Sequence, residues 1–276
     1  MSLARYFWPN TSQPNGGMPY IRHDGRVNPE IHKVPDYSMF RNLVKHVQYL
    51  ALGYHYFGNE SYAIRATDRI HQWFIDPELR MNPHLQYASL VRGYKSGRAK
   101  GIIDFHVVQE LLDSISILQY SQVWKERNDK QKINAHLRYW FAQYLEWLTK
   151  SPNGIYEMEA HNNHGTFYDV QRVAIYRFLN KMDMARQVIA NVTASRIAPQ
   201  ILISGEQYLE TARPTSWFYC IFNLKAYFLL GHMGQQTPGA PNLFDYRTID
   251  QKSIQLALDF MLPYALNENL WKFQNV

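Results

Sequence analysis

The sequence predicts an all-α fold of successive antiparallel helical hairpins, an α/α toroid or solenoid, preceded by an extended, proline-rich N-terminal segment. After residue 36, apolar residues recur at three- and four-residue steps, and no stretch of any length shows the alternation of a β-strand. The helical segments come in pairs that long loops connect. This organisation is more typical of a toroid or solenoid than of a four-helix bundle, and in a toroid the loops at one end form the cleft.

The first 35 residues are expected to be extended and rich in turns. They contain the pair Gly16 and Gly17 and five prolines, which are Pro9, Pro14, Pro19, Pro29 and Pro35. Proline lacks a backbone N–H and fixes its φ angle, so helix is disfavoured throughout this segment. The rest of the protein has to hold the segment in place.

Four helical hairpins are predicted to follow. The first helix begins near Tyr37 and ends at Gly58, and the second covers about 60–75. The same pattern predicts three further pairs: Ile102–Trp124 with Ile133–Leu148, 163–179 with 182–197, and 211–232 with 249–265.

The composition indicates a folded protein with an anionic partner. Of the 276 residues 46% are hydrophobic, which is enough for a packed core, and the formal net charge is +6. The sequence has no run of five basic residues, no zinc-finger spacing and no aromatic RNA-binding motif, so nucleic acid is not the expected partner. The single Cys220 excludes an internal disulfide framework and a multi-cysteine metal site.

Neither a signal peptide nor a membrane span is expected. Met1–Asn10 lacks a basic start followed by an apolar core. The most apolar stretch, Trp217–Met233, is short, and the polar residues Asn223, Lys225 and His232 interrupt it. We interpret it as a buried helix.

A basic loop runs from Gly93 to Gly101. It contains Tyr94, Lys95, Arg98 and Lys100, and it does not have the spacing of a phosphate-binding P-loop. Two interpretations stay open at this point: a solvated surface loop, or a mobile lid over an anionic ligand.

The segment from Glu157 to Gly165 has the most unusual local sequence. His161 and His164 could bind a metal with Glu157 or Glu159, although no helical HExxH arrangement is present. Alternatively, Asn162 or Asn163 could cap the following helix. In a third interpretation, the segment is a polar cluster that holds a carboxylate.

A second segment, Glu210–Tyr219, could complete such a cluster. Arg213 and Tyr219 lie six residues apart, so in a continuous helix they would share roughly one face about 9 Å apart. Pro214 disfavours a continuous helix through this segment. Arg213 could also simply pair with Glu210, and Tyr219 could be a core residue.

These segments belong to a series of short motifs along nearly the whole chain. In order, the motifs are Tyr6-Phe-Trp-Pro9, Gly17-Met-Pro-Tyr20, Asp24-Gly-Arg-Val-Asn-Pro-Glu30, Trp73-Phe-Ile-Asp-Pro77, Arg80-Met-Asn-Pro83, Gly101-Ile-Ile-Asp104, Asn162-Asn-His-Gly165, Leu209-Glu-Thr-Ala-Arg213 and Ser216-Trp-Phe-Tyr219. With these motifs, the chain resembles the alginate lyase-like polysaccharide lyases. That resemblance implies an incomplete α/α toroid and β-elimination without a metal or cofactor.

The resemblance also implies roles for individual residues. Asn163 and His164 would neutralise the substrate carboxylate, Arg213 would assist them, and Tyr219 would move the proton. Further substrate contacts are expected from Asn162, Tyr94, Lys95, Arg98, Lys100, Asn82 and His84.

The chemistry agrees with these roles. Removal of the C5 proton of a uronate places negative charge on its carboxylate, where hydrogen-bond donors stabilise it. A free tyrosine has a pKa near 10, and we expect nearby cations to lower that of Tyr219 into a useful range. The tyrosine could then also protonate the departing O4.

The expected substrate is a β-1,4-linked polyuronate, alginate and its mannuronate blocks first and polyglucuronate second. One alternative is a toroidal glycoside hydrolase, which needs two carboxylic acids across the cleft; the candidates are Glu157, Glu159, Asp104 and Asp169. The other alternative is a module derived from a lyase that binds the polymer without cleaving it.

Residues 1–276 are expected to form a single domain. Family members contain further helical sequence before the part that resembles Met1-Ser-Leu-Ala and after the position of Val276, so the chain looks short at both ends. A toroid that lacks helices would expose apolar surface, which oligomerisation could cover. The resemblance implies a secreted or periplasmic protein, although the chain shows no export signal.

Overall fold

The computed structural model describes residues 1–275, which are mainly α-helical. The two strands are β1 (Phe7–Trp8) and β2 (Ile21–Arg22). The helices are α1 (Asp36–Phe57), α2 (Glu60–Phe74), α3 (Val108–Leu118), α4 (Gln122–Gln131), α5 (Ile133–Lys150), α6 (Pro152–Met158), α7 (Asn163–Phe178), α8 (Met182–Val192), α9 (Ala198–Gln200), α10 (Tyr208–Thr211), α11 (Ser216–Gln235) and α12 (Ile254–Leu266). Residues Pro29–Lys33, Ala99–Phe105 and Glu268–Leu270 form 3-10 turns, and Thr193–Ile197 form one π-helical turn. The predicted all-α class is confirmed.

The proline-rich N-terminal segment is extended, as the sequence predicts. Strands β1 and β2 pair antiparallel, with Phe7 opposite Arg22 and Trp8 opposite Ile21. Backbone hydrogen bonds hold the segment on residues 87–92; examples are Ala4 N–H to Leu90 O at 2.9 Å and Tyr20 N–H to Arg92 O at 3.0 Å.

The first helical hairpin agrees with its prediction. Helix α1 ends at Gly58, whose φ of 64° is in the left-handed region that glycine adopts easily. The Asn59 side chain then caps α2 by accepting a hydrogen bond from Ser61 N.

The prediction of one helix over Ile102–Trp124 is wrong. The chain instead forms the 3-10 turn Ala99–Phe105, then α3, then α4. At the first break, Gly101 packs so closely on Ala88 that a Cβ atom would lie 2.5 Å from the Ala88 carbonyl. At the second break, the Ser121 hydroxyl caps α4 by accepting from Trp124 N at 3.2 Å.

Helix α6 lies between the predicted helices Ile133–Leu148 and 163–179, where no helix is predicted. The Ser151 side chain caps it at Gly154 N, and Pro152 occupies its first turn, where no backbone N–H is required. A Cβ atom at Gly154 would lie 1.8 Å from the Leu148 carbonyl oxygen, so only glycine permits this close approach to the end of α5. The helix thereby directs Glu157 into the interior, where it is fully buried.

Helix α7 is the central helix of the protein. It packs against α3, α5, α6, α8 and α11, and most of its residues from Asn163 to Tyr176 are buried. A hydrophobic core cluster that extends from Phe40 to Met261 surrounds it. The N-terminal end of α7, where the Asn-Asn-His motif lies, is therefore held from several sides.

The fourth predicted hairpin begins later than expected. The chain forms the short α10, breaks around Pro214, and enters α11 only at Ser216. Proline cannot donate a backbone hydrogen bond and disfavours helix at the residue before it, which accounts for the break. Helix α12 likewise begins at Ile254 and not at 249. Among the described residues, no helix is both long and apolar enough to cross a membrane.

One buried arginine joins the loop before α7 to the core. The Arg196 guanidinium donates to Asp169 Oδ2 at 2.8 Å, to Met158 O at 2.8 Å and to Ala160 O at 2.9 Å. A Cβ atom at Gly165 would lie 2.6 Å from Arg196 Nη1, so glycine leaves room for this arginine. Arg196 is only 4% exposed and fixes the loop that connects Glu157 to the Asn-Asn-His motif.

Candidate active site

Tyr219 lies in the first turn of α11 and meets residues from the other end of the chain. Its hydroxyl oxygen is 2.6 Å from the hydroxyl oxygen of Tyr6, which precedes β1. The Arg213 guanidinium carbon lies 3.8 Å from the centre of the Tyr219 ring. The expected 9 Å spacing along one helix is wrong, because Arg213 lies outside α11; the break at Pro214 brings it onto the ring.

Asp24 holds Arg213 in this position. Arg213 donates through Nε and Nη2 to the two oxygens of Asp24, at 3.0 and 2.9 Å, a bidentate geometry that restricts the guanidinium plane. Burial acts to raise the pKa of Asp24, but Arg213 and Arg22 outweigh it and lower that pKa below its ordinary value. The adjacent Gly25 has a φ of 78°, and a Cβ atom there would lie 2.8 Å from the Pro214 side chain. The alternative pairing of Arg213 with Glu210 is not the one observed.

The pKa of Tyr219 is not lowered as the sequence argument expects. Burial raises it well above the ordinary value of 10.0, the hydrogen bond with Tyr6 acts in the same direction, and only Arg213 opposes these effects. The expectation is wrong because the side chain is 7% exposed, so the cost of placing charge in the interior exceeds the attraction of one arginine. The hydroxyl is therefore protonated at neutral pH.

His164 and Glu157 form the second part of the site. His164 Nδ1 is hydrogen-bonded to Oε1 of Glu157, which reaches the ring from α6. Among residues 1–275 the other oxygen of Glu157 finds no hydrogen-bond partner, and Lys100 Nζ lies 3.8 Å from it. Burial lowers the pKa of His164 below its ordinary value; Lys100 and Arg213 act in the same direction, and Glu157 opposes them.

Asn163 and Asn162 have different surroundings. The carboxylate of Glu210, in α10, accepts from Asn163 N at 2.6 Å and from Asn163 Nδ2 at 2.7 Å. Asn163 is fully buried, and no group in the described part of the chain is hydrogen-bonded to its Oδ1. Asn162 caps α7 by accepting from His164 N at 3.3 Å, so the capping interpretation holds for this residue.

A buried network fixes the backbone that carries Glu210. Asn223 Nδ2, in α11, donates to Gln207 Oε1 at 2.9 Å and to Gln200 Oε1 at 3.1 Å. Gln207 Nε2 in turn donates to Cys220 O at 3.1 Å. Because all these side chains are buried, their hydrogen bonds hold the start of α10 in one position against α11.

The charged groups around Tyr219 and those around His164 influence each other's pKa values. Lys100 and Arg213 both lower the pKa of His164, and both counteract the burial that raises the pKa of Glu210 to about 7. The charged residues here are the cations Arg22, Arg98, Lys100 and Arg213 and the acids Asp24, Glu157 and Glu210. The cluster is thus net cationic, which suits an anionic ligand.

Apart from Asn162, which caps α7, the predicted substrate contacts divide into two groups. Lys100 reaches Glu157, and Arg98 lies nearby, with its guanidinium on the Phe7 ring at 4.5 Å and hydrogen-bonded to Ser89. Within residues 1–275, no hydrogen bond or ion pair joins the other four to Tyr219, Arg213, His164 or Asn163; they are Tyr94, Lys95, Asn82 and His84. Tyr94, Lys95 and Asn82 are exposed, and His84 lies 6.2 Å from both the Tyr87 and Trp147 rings.

The metal and hydrolase interpretations find no support in the geometry. In the part of the chain that the structure describes, no three His, Cys, Asp or Glu side chains are placed to hold a metal ion. Among the candidate hydrolase acids, Asp169 is paired with Arg196 and Arg172, and Asp104 is hydrogen-bonded to Ser2. Glu157 is hydrogen-bonded to His164, and Glu159 is exposed.

The sequence alone does not indicate site roles for Tyr6, Asp24 or Glu210, and it offers Glu157 only as a metal ligand or hydrolytic acid. Three of these residues lie inside motifs of the resemblance, at Tyr6-Phe-Trp-Pro9, Asp24-Gly-Arg and Leu209-Glu-Thr-Ala-Arg213. The signal available in the sequence for a site role was that each of these polar residues lies inside such a motif. Its partner could not be inferred from spacing.

Glu210 is expected to make stability depend on pH. Burial raises its pKa in the folded protein to about 7 from 4.5, so between these values the folded state binds more protons than the unfolded state. Its contribution to the unfolding free energy is therefore full below about pH 4.5, falls as pH rises and levels off above about pH 7. Relative to Glu210→Gln, the wild type should lose on the order of 1–3 kcal/mol between pH 5 and 8 in chemical denaturation. Parallel pH profiles of the two proteins would contradict this assignment.

Comparisons with known proteins agree with this architecture. The sequence model of the family described as Alginate lyase matches residues 1–271. The crystal structure of an alginate lyase from Bacteroides ovatus superposes with a TM-score of 0.93 and 34% identity, over 100% of this chain and 71% of that chain. Alginate lyase A1-III, in a variant complexed with a tetrasaccharide, superposes with a TM-score of 0.65 and 15% identity, over 98% and 66%, and shows the fold alone. No curated protein sequence matches the chain.

The helical hairpins thus form the predicted α/α toroid, and the protein is a polysaccharide lyase. The chain belongs to the alginate lyase family.

Proposed function

We propose that the protein cleaves a β-1,4-linked polyuronate by β-elimination, with mannuronan as the first candidate substrate and polyglucuronate as the second. The main support is the contact of Arg213 with the Tyr219 ring in a cluster that also contains His164. A proton-transfer group and cationic groups next to one another are what abstraction of a proton beside a carboxylate requires.

The substrate carboxylate would bind between His164 and Arg213, with Asn163 assisting. Arg213 uses Nε and Nη2 for Asp24, which leaves Nη1 for an anion. Asn163 gives one N–H of Nδ2 to Glu210 and keeps a second one. As C5 loses its proton, negative charge spreads onto the carboxylate, and these donors stabilise it at fixed positions.

Tyr219 would move the proton. It would take the C5 proton in its ionised form and return a proton to O4 as the C4–O4 bond breaks, leaving a C4–C5 double bond. Because burial raises its pKa, we expect the rate to rise with pH over the neutral to alkaline range. Arg213 on the ring face is the group that favours the ionised form.

The remaining substrate contacts would lie next to this charged cluster. Lys100 and Arg98 adjoin the cluster and suit neighbouring uronates. Further sugars would meet the other predicted residues, which are Asn162, Tyr94, Lys95, Asn82 and His84. The positive charge of the cluster supports an anionic polysaccharide as the partner.

We also propose that residues 1–276 form one domain and act outside the cytoplasm. The core cluster that extends from Phe40 to Met261 supports a single folding unit. A secreted or periplasmic location fits an enzyme for a large extracellular polymer. Exposed apolar residues on α11, such as Phe218 and Ile221, would be covered if copies of the chain associate.

The test is absorbance over time near the ultraviolet band of a conjugated unsaturated uronate, with polymannuronate, polyguluronate and polyglucuronate supplied separately. We expect the absorbance to rise with polymannuronate, and polyglucuronate is the second candidate substrate. New reducing ends without absorbance would indicate hydrolysis, and binding of the polymers without either product would indicate a binding module. Either of these results would overturn the proposal.

A further inference from the structure

The hydrogen bond between Glu157 and His164 determines which atoms of His164 a ligand can meet. Glu157 is fully buried and its Oε1 contacts Nδ1 of the ring. An ionised carboxylate only accepts hydrogen bonds, so Nδ1 has to carry the proton. In the neutral ring, Nε2 then has a lone pair and no hydrogen.

This arrangement conflicts with a simple role for His164 as a donor to a carboxylate. A neutral ring with its proton on Nδ1 cannot donate from Nε2. We propose that Glu157 is a positioning residue that fixes the Nδ1–H form of His164, so that binding of a substrate carboxylate at Nε2 takes up one proton and places the imidazolium between two carboxylates. This inference rests on the proposed carboxylate-binding role of His164.

The charges around the ring favour a neutral His164 before the substrate binds. Burial opposes a positive charge on the ring, and so do two cations, Lys100 in the 3-10 turn Ala99–Phe105 and Arg213 before α11. Glu157 from α6 favours the charged form, and Glu210 lies nearby on Asn163. A bound carboxylate adds a second negative partner, so it shifts the ring to the protonated form.

Lys100 makes the effect of Glu157→Gln predictable. Its ammonium lies 3.8 Å from Glu157 Oε2 and would repel an amide NH2 group there. The glutamine therefore turns its oxygen towards Lys100 and its NH2 towards His164. The ring then has to accept at Nδ1, and its proton moves to Nε2.

The first measurement needs no substrate. Nitrogen-15 NMR of the His164 ring above its pKa should give the Nδ1–H tautomer in the wild type and the Nε2–H tautomer in Glu157→Gln. Glu159→Gln is the matched control, because Glu159 is exposed just beyond the end of the same helix. An Nε2–H tautomer in the wild type, or no change in a folded Glu157→Gln protein, would overturn the proposal.

The second measurement is proton uptake on binding. Calorimetric titration of Tyr219→Phe protein with a mannuronate oligomer, at pH 7.5 in two buffers of different ionisation enthalpy, should show uptake of about one proton. The Glu157→Gln/Tyr219→Phe double variant should show almost none, because Nε2 already carries a proton. Binding without proton uptake by Tyr219→Phe would overturn the proposal. If the predicted tautomers are found but no uronate oligomer binds, the proposed function fails and the tautomer assignment stands.

Lys100→Met gives an independent check if the glutamine variant does not fold. It removes a positive charge near His164 and leaves the carboxylate of Glu157 in place. The Nδ1–H tautomer should persist, and the pKa of His164 should rise. A change of tautomer in this variant would contradict the assigned role of Glu157.

Discussion

Tyr219→Phe is expected to lower kcat by about 1000-fold, since a positioned acid–base group contributes on the order of 10² to 10⁴ in rate. The substitution removes the hydroxyl that hydrogen-bonds to Tyr6 and leaves the ring beneath Arg213. Polymer affinity should change little, because the carboxylate-binding residues stay in place. The measurement is the initial rate of double-bond formation together with direct binding of the same polymer.

Tyr6→Phe is the matched control for this prediction. It removes the same hydrogen bond from the other side and keeps the hydroxyl of Tyr219. Because the bond with Tyr6 raises the pKa of Tyr219, the rise of kcat with pH should move to lower pH in this variant. Equal loss of activity in both variants, with unchanged pH profiles, would mean that the contact between the hydroxyls matters and proton transfer by Tyr219 does not.

Arg196→Met is expected to cost about 3–5 kcal/mol of unfolding free energy, the usual result of removing one partner from a buried ion pair. The substitution leaves Asp169 with Arg172 alone and removes the donors of the Met158 and Ala160 carbonyls. Because this loop joins Glu157 to His164, any protein that remains folded should also have reduced activity. Chemical denaturation and a rate measurement on the folded fraction test both effects.

Arg186→Met is the control for Arg196→Met, because Arg186 forms an ion pair at the surface and not in the interior. Arg186 binds Asp183 at 3.0 Å and donates through Nε to Pro238 O at 3.0 Å, but the two side chains of the ion pair are 42% and 83% exposed. Such pairs contribute about 0–1 kcal/mol, so this variant should unfold close to the wild type. If Arg196→Met were no more destabilising than Arg186→Met, the buried arginine would not be what anchors the loop.

Local signals in the sequence predict most of the helices. Gly58 ends α1 as expected, and the apolar periodicity of α5 and α7 places both within a few residues. The break between α3 and α4 was missed because apolar residues continue through it at helical spacing, although Ser121 was an available capping signal. The close packing of Gly101 on Ala88 depends on a contact between separate segments, which periodicity does not contain.

The candidate site was predictable only in part, for a similar reason. The Asn-Asn-His and Arg213–Tyr219 segments stand out locally, but the carboxylates that orient them lie elsewhere in the chain. Asp24 is 189 residues from Arg213, and Glu210 is 47 residues from Asn163. The sign of the shift in the Tyr219 pKa depends on its burial, which residue types alone do not give.

The contacts of Tyr6 with Tyr219 and of Asp24 with Arg213 also bear on how the protein folds. They connect positions 213 and 189 residues apart, so they close the largest loops in the site and carry a high entropic cost. Helical hairpins form from near neighbours and should precede these contacts during refolding. Recovery of lyase activity would then lag behind recovery of helical signal, and turnover would report the final docking of the N-terminal segment.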